Sequence, residues 1–258
     1  SAAGLLAYGL LTARGGSDGR YRILAGWRFD PALFSRLVRF GLPSGVQFFL
    51  DMAGFTLFLL IVGRLGTVSL AATNIALNIN TLAFMPMVGL GMAVSILVGR
   101  ELGRNDPALA ERCVASGLHV ALLYMGAVAL MYLVAPGAFL APYGAYAAPG
   151  AYEEIRRLAV VLLRFVAIYS LFDALSIVYA AGLRGAGDTR MVMYLMGSLS
   201  VGALIVPTYV AIGILGAGIL AGWGIATVYV CALGLAFLFT SVILLVAVLF
   251  VAANLIVD

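Results

Sequence analysis

Apolar runs recur along the whole chain, separated by short polar punctuation. A helix that crosses a bilayer needs about 20 predominantly apolar residues. Six stretches meet that length: about Gly41 to Val62, Ser69 to Gly99, Val114 to Ala135, Glu153 to Gly182, Met191 to Gly213 and Gly216 to Phe239. Only helices and closed barrels satisfy the backbone inside hydrocarbon, and these runs have helical length. The pattern therefore predicts an all-α polytopic transmembrane bundle. Residues 1–13 are apolar but too short to cross, and read as the end of a truncated span. Residues 14–40 read as a polar loop and lead-in helix, and 41–239 as a six-helix lobe. Residues 240–258 form an apolar extension open to three readings: a seventh span, a bent continuation or an interfacial helix. The second span would be ~46 Å long if straight, so it must tilt, bend or protrude, and Pro86, Gly89 and Gly91 offer a place to bend. Pro136, Pro142 and Pro149 mark a loop between the third and fourth spans.

Polar positions refine the map. Asp30-Pro31-Ala32-Leu33 and Asp106-Pro107-Ala108-Leu109 are matching helix-start signals, an Asp cap followed by Pro in the first turn. They predict two amphipathic lead-in helices on one side of the membrane. That side collects eleven arginines: Arg14, Arg20, Arg22, Arg28, Arg36, Arg39, Arg100, Arg104, Arg112, Arg184 and Arg190. The other side holds three: Arg64, Arg156 and Arg157. The positive-inside rule makes the arginine-rich side, with loop 14–40, cytoplasmic.

Composition narrows the function classes. The 258 residues are 64% hydrophobic and 10% charged, which excludes a soluble globular domain. All 15 basic residues are Arg, and a scattered net charge of +4 excludes a nucleic-acid surface. One His and two Cys leave no zinc-type cluster, and Cys113 and Cys231 read as free thiols. No cofactor motif is present.

Two carboxylates lie deep in the predicted spans, Asp51 in the first and Asp173 in the fourth. Each is ~14–15 Å from the arginine-rich side, near the middle of a ~30 Å core. An acid at that depth costs several kcal/mol and marks a functional site by default. Asn74, Asn78 and Thr81 share one face of the second span, with Asn78 near the midplane, and Tyr169 lies one turn before Asp173. Such a set suits a desolvated cation or a proton. Two close carboxylates cannot both stay ionised without a counter-charge, so one takes a proton or both share an ion such as Na⁺. Phe48, Phe55, Met52 and Met85 surround the acids in sequence and could line an adaptable cavity for apolar cations. Arg164 reads as snorkelling to the interface and His119 as a satisfied interfacial residue.

These residues resemble a known family. Gly41-Leu-Pro-Ser-Gly-Val-Gln-Phe-Phe-Leu-Asp51, Ala76-Leu-Asn-Ile-Asn80 with Pro86, Val98-Gly-Arg-Glu-Leu-Gly103, and Ala167-Ile-Tyr-Ser-Leu-Phe-Asp173 running on to Gly182-Leu-Arg-Gly-Ala-Gly-Asp-Thr-Arg190 are similar to the C-terminal half of a multidrug and toxic compound extrusion (MATE) transporter. The resemblance covers about residues 1–239, the end of helix six and helices seven to twelve. It implies a two-lobed antiporter of a bacterial inner membrane that expels organic cations or other toxic compounds in exchange for Na⁺ or H⁺. It implies that Asp51, Asp173, Tyr169 and Asn78 form the cation site. It also implies that the partners are small-molecule substrates, membrane lipid and an N-terminal lobe. Two other functions fit parts of the pattern. A flippase for lipid-linked saccharides or lipids shares the lobe architecture, but would want a more arginine-rich cavity. An intramembrane aspartyl protease would use two membrane acids and the Gly185-Ala-Gly-Asp188 string, although Asp188 sits between Arg184 and Arg190 at a span edge.

Overall fold

The computed structural model describes residues 30–144 and 151–257. The readings of residues 1–13, of loop residues 14–29 and of Pro149 lie outside them. The chain divides into two compact units, residues 1–42 and residues 43–258. In the first, the described residues open helix α1 (Pro31–Gly63), where the Asp30 Oδ1 accepts from the backbone N–H of Ala32 at 2.8 Å and of Leu33 at 3.2 Å.

The second unit continues α1 from Pro43 and holds α2 (Thr67–Gly103), α3 (Pro107–Val134), α4 (Pro136–Gly144), α5 (Ala151–Gly185), α6 (Thr189–Ile214) and α7 (Ile219–Val257). Six of these are long and apolar enough to cross a membrane, and none of the described residues forms a strand. The protein is an integral membrane helical bundle. The Asp-Pro signals do start helices: Asp106 accepts from the Leu109 N–H at 2.9 Å. Neither lead-in is a separate element, however. α1 spans Pro31–Gly63, with Pro43 inside it, and α3 spans Pro107–Val134, each as one helix. The proline-rich connection after α3 also differs from a plain loop, since Pro136 sits in the first turn of the short helix α4.

Helix α5 is the hub, packing along α2, α3 and α7. Glycines decide how closely. A Cβ on Gly185 would stand 2.5 Å from the Ser95 carbonyl oxygen of α2, and one on Gly99 would stand 3.1 Å from the Gly185 carbonyl oxygen. A Cβ on Gly234 of α7 would collide with the Phe172 carbonyl of α5. Backbone therefore meets backbone on two sides of the hub, which small residues permit in membrane bundles. Trp223 of α7 is fully buried, donates its indole N–H to the Thr73 hydroxyl of α2 at 3.2 Å, and meets Phe58 of α1 edge to face at 6.2 Å. It fastens three helices at one point.

Pro86 leaves α2 unbroken, but a proline removes one intrahelical N–H and crowds the preceding turn. Two tyrosines of α3 bond the α2 backbone in the two turns before Pro86. Tyr124 donates to the Ala83 carbonyl at 3.0 Å and Tyr132 to the Ile79 carbonyl at 3.3 Å.

Helix α6 departs from the regular span the sequence predicts. It begins as α-helix, widens to π-helix over Ser200–Ile205, tightens for one turn at Val206–Thr208, and widens again over Tyr209–Ile214. The Val206 N–H reaches back five residues to the Val201 carbonyl, and Leu215 does the same to Val210. Pro207, which lacks an N–H, sits between the two wide segments. The apolar run 241–257 is a continuation of α7, without a turn between them.

Candidate functional site

Asp51 sits mid-helix on α1 and Asp173 mid-helix on α5, and both are half-buried. The two carboxylates lie within electrostatic range of one another. Acids separated by 122 positions in the chain are thus brought within reach of each other's charge. Tyr169 is buried one turn below Asp173 and is electrostatically coupled to it. No Arg or His forms an ion pair with either acid among the described residues. The buried acid that does have cationic partners is Glu101, which takes Arg104 at 3.2 Å and Arg100 at 3.6 Å at the end of α2.

Three more polar groups stand around the pair that the sequence reading did not single out. Tyr229 of α7 lies beside the Ser200 side chain and within electrostatic range of both carboxylates. Gly234 explains its position, because the close approach to Phe172 draws α7 onto α5 next to Asp173. Ser200 opens the first π segment of α6 and faces Gly54 of α1, one turn from Asp51. Gln47 is buried one turn before Asp51 on the same face, with its amide nitrogen 2.8 Å from the Met196 sulfur and its oxygen unpartnered. A polar residue every turn through a span, as in Gln47 and Asp51, was a signal available in sequence. A lone Tyr or Ser in an apolar run carries none.

Other predicted residues are more dispersed. Asn74 and Asn78 lie on one open face of α2, as their spacing requires, and both are exposed. Thr81 on that face donates to the Leu77 carbonyl of its own helix. Phe55 lines a narrow gap with Leu77, Tyr169 and Tyr229, with room for about one water molecule. Phe48, Met52 and Met85 are 66%, 50% and 61% exposed, so they do not enclose a cavity within this chain. Arg164 is exposed, and His119 is exposed with its Nδ1 2.7 Å from the Ala115 carbonyl. Asp188 is exposed in the α5–α6 turn, where it accepts from the Met191 N–H at 3.1 Å and Gly187 adopts φ +90°. It is an exposed helix cap, and the protease reading loses the acid of its Gly185-Ala-Gly-Asp188 string.

The relatives agree with this architecture. Over 159 residues the chain is 35% identical to a "Probable multidrug resistance protein NorM" from Xanthomonas campestris pv. campestris, covering 62% of this chain and 33% of that protein. Over 176 residues it is 34% identical to one of the same name from Bradyrhizobium diazoefficiens, covering 67% and 37%. The chain thus spans about a third of the length of these curated relatives. Among solved structures, MATE in its bent conformation aligns with a TM-score of 0.75 at 15% identity, over 89% of this chain and 50% of that one. A MOP superfamily transporter from Pyrococcus furiosus aligns at 0.68 and 22% identity, over 78% and 43%. At these identities the structures speak for the fold alone. The profile of the MatE family matches residues 43–210, which takes in α1 from Pro43 through most of α6 and both acids of the pair. With its fold, its length of match and its relatives in agreement, the chain belongs to the MatE family, whose members are transporters and not enzymes.

Proposed function

We propose that this chain is the C-terminal lobe of a two-lobed MATE transporter that expels organic cations or other toxic compounds from a bacterial cytoplasm by alternating access. Asp51 and Asp173 carry the coupling ion, Na⁺ or H⁺. The observation behind this reading is a pair of half-buried carboxylates within electrostatic range of each other, with no cationic side chain paired to either among the described residues. Like charges in a low-dielectric site require a positive guest, so occupancy and the spacing of α1 from α5 depend on each other. The carboxylate oxygens with the Tyr169, Tyr229 and Ser200 hydroxyls form the all-oxygen set that a hard monovalent cation prefers, and one shared proton meets the same demand. The open faces of α1 and α2, with Phe48, Met52, Asn74, Asn78 and Met85, then form the half of a substrate cavity that a second lobe completes.

Calorimetric titration of Na⁺ into the purified chain in detergent near neutral pH tests the ion site. Saturable binding that disappears in Asp51→Asn/Asp173→Asn is the expected result. Saturable binding that survives in that folded double variant overturns the assignment. A folded wild-type chain that binds no Na⁺ moves the coupling to protons, to be read as gradient-driven efflux lost on neutralising both acids.

A further inference from the structure

The arginine-rich end of the bundle carries a feature that the acid pair does not use. A groove of about 290 Å³ runs between α2 and α3. Its floor is the contact of Val94 with Gly117, where a Cβ on the glycine would overlap the valine. Small residues at that crossing leave the groove open above it, walled by Leu90, Leu97, Leu109 and Val120. The one charged residue in its lining is Arg112, one turn into α3.

Two contrasts give the groove a direction. Arg100 and Arg104, at the neighbouring end of α2, are both committed to Glu101, whereas the exposed Arg112 is in no ion pair among the described residues. Polarity also falls steadily along α3: Arg112, then Ser116, then Val120. From Arg112 to Val120 the helix rises ~12 Å, close to the ~15 Å of one hydrocarbon leaflet. The groove is therefore cationic at the depth of lipid headgroups and apolar along the depth of one acyl chain. Its walls face outward with the exposed Ile96 and Leu123, on a surface that lipid covers. An organic cation would meet Arg112 as a like charge. The occupant must join an anionic head to an apolar tail.

We propose that this groove binds an anionic phospholipid, with the phosphate on the Arg112 guanidinium and one acyl chain laid between α2 and α3. A basic residue at the headgroup level and an apolar slot beneath it give selectivity by charge and residence by packing. A lipid in this position bridges α2, which bears the Asn74 and Asn78 face, to α3.

Native mass spectrometry of the full chain, released from detergent containing equal amounts of phosphatidylglycerol and phosphatidylethanolamine with the same acyl chains, reads retention directly. The expected result is a preference of about fivefold for the anionic lipid. Arg112→Gln removes it, Arg112→Lys restores most of it, and Ala93→Phe, which fills the slot and keeps the charge, lowers retention of both lipids. Arg100→Gln, outside the groove, leaves the preference intact. Equal retention of the two lipids by the wild-type chain overturns the proposal. So does a preference that persists in Arg112→Gln, or retention of both lipids at the wild-type level in Ala93→Phe, and so does a loss of preference in Arg100→Gln to the same extent as in Arg112→Gln, which would mean diffuse surface charge. Arg112 is exposed and bonded to no other described side chain, so its variants should fold, and circular dichroism melts matching the wild type check this.

Discussion

The two helices that carry the acids are built differently. α5 is enclosed on three sides and meets α2 and α7 backbone to backbone at Gly185 and Gly234. α1, from Pro43 onward, buries only Gln47, Gly54, Phe58, Ile61 and Val62, and leaves the Phe48, Phe49 and Met52 side open. Among its contacts to α6 are Met196 on Gln47, Ser200 and Leu204 on Gly54, and Leu50 on Gly197. One carboxylate is thus set in the frame and the other on a lightly attached edge. A site built this way can change its spacing when its charge changes, because only one of its walls has to move.

That contrast can be broken from either side. Trp223→Ala should have the largest effect, about 4 kcal/mol, read as a drop in thermal stability in detergent, since it empties a fully buried site and leaves Thr73 without its donor. Gly234→Val, which drives a side chain into the Phe172 carbonyl, should cost about 3 kcal/mol and separate α7 from α5. A stability change near zero there would mean the hub is not rigid. Asp173→Asn and Asp51→Asn should each weaken Na⁺ binding about tenfold or more, equivalent to about 1.4 kcal/mol, while leaving the melting temperature unchanged or higher, because each relieves a like-charge pair. Removing one hydroxyl by Tyr124→Phe should cost about 1 kcal/mol. Gly45→Ala on α1, where the added methyl meets nothing within 4 Å, should be neutral or stabilising by less than about 1 kcal/mol. A large loss at Gly45 would show α1 to be as confined as α5.

The six spans and the caps at Asp30 and Asp106 were legible because each is written locally, as a long apolar run or as a Pro after an Asp. Charge also separated Asp188 from the buried acids in advance. The rest depends on tertiary packing, which leaves no local trace. Nothing in Ser200–Ile205 distinguishes a π turn from an α turn until Pro207 and the neighbouring helices force one. Tyr229 became part of the acid cluster only through Gly234, five positions away, whose lack of a side chain sets how near α7 comes. The open face carrying Asn74, Asn78 and Thr81 was readable as a stripe, but what a stripe faces is a property of the partner surface.

Tyr124 bears on how a membrane helix tolerates a fault. In water, a carbonyl loosened by a downstream proline simply hydrates, and the defect becomes a leak for solvent. Within hydrocarbon there is no such relief. The phenol that α3 lends to Ala83 adds a hydrogen bond from outside the helix in the turn before Pro86, next to the Leu82 carbonyl that loses its helix donor there. α2 therefore carries a proline in mid-span while its backbone there stays tied to a neighbouring helix.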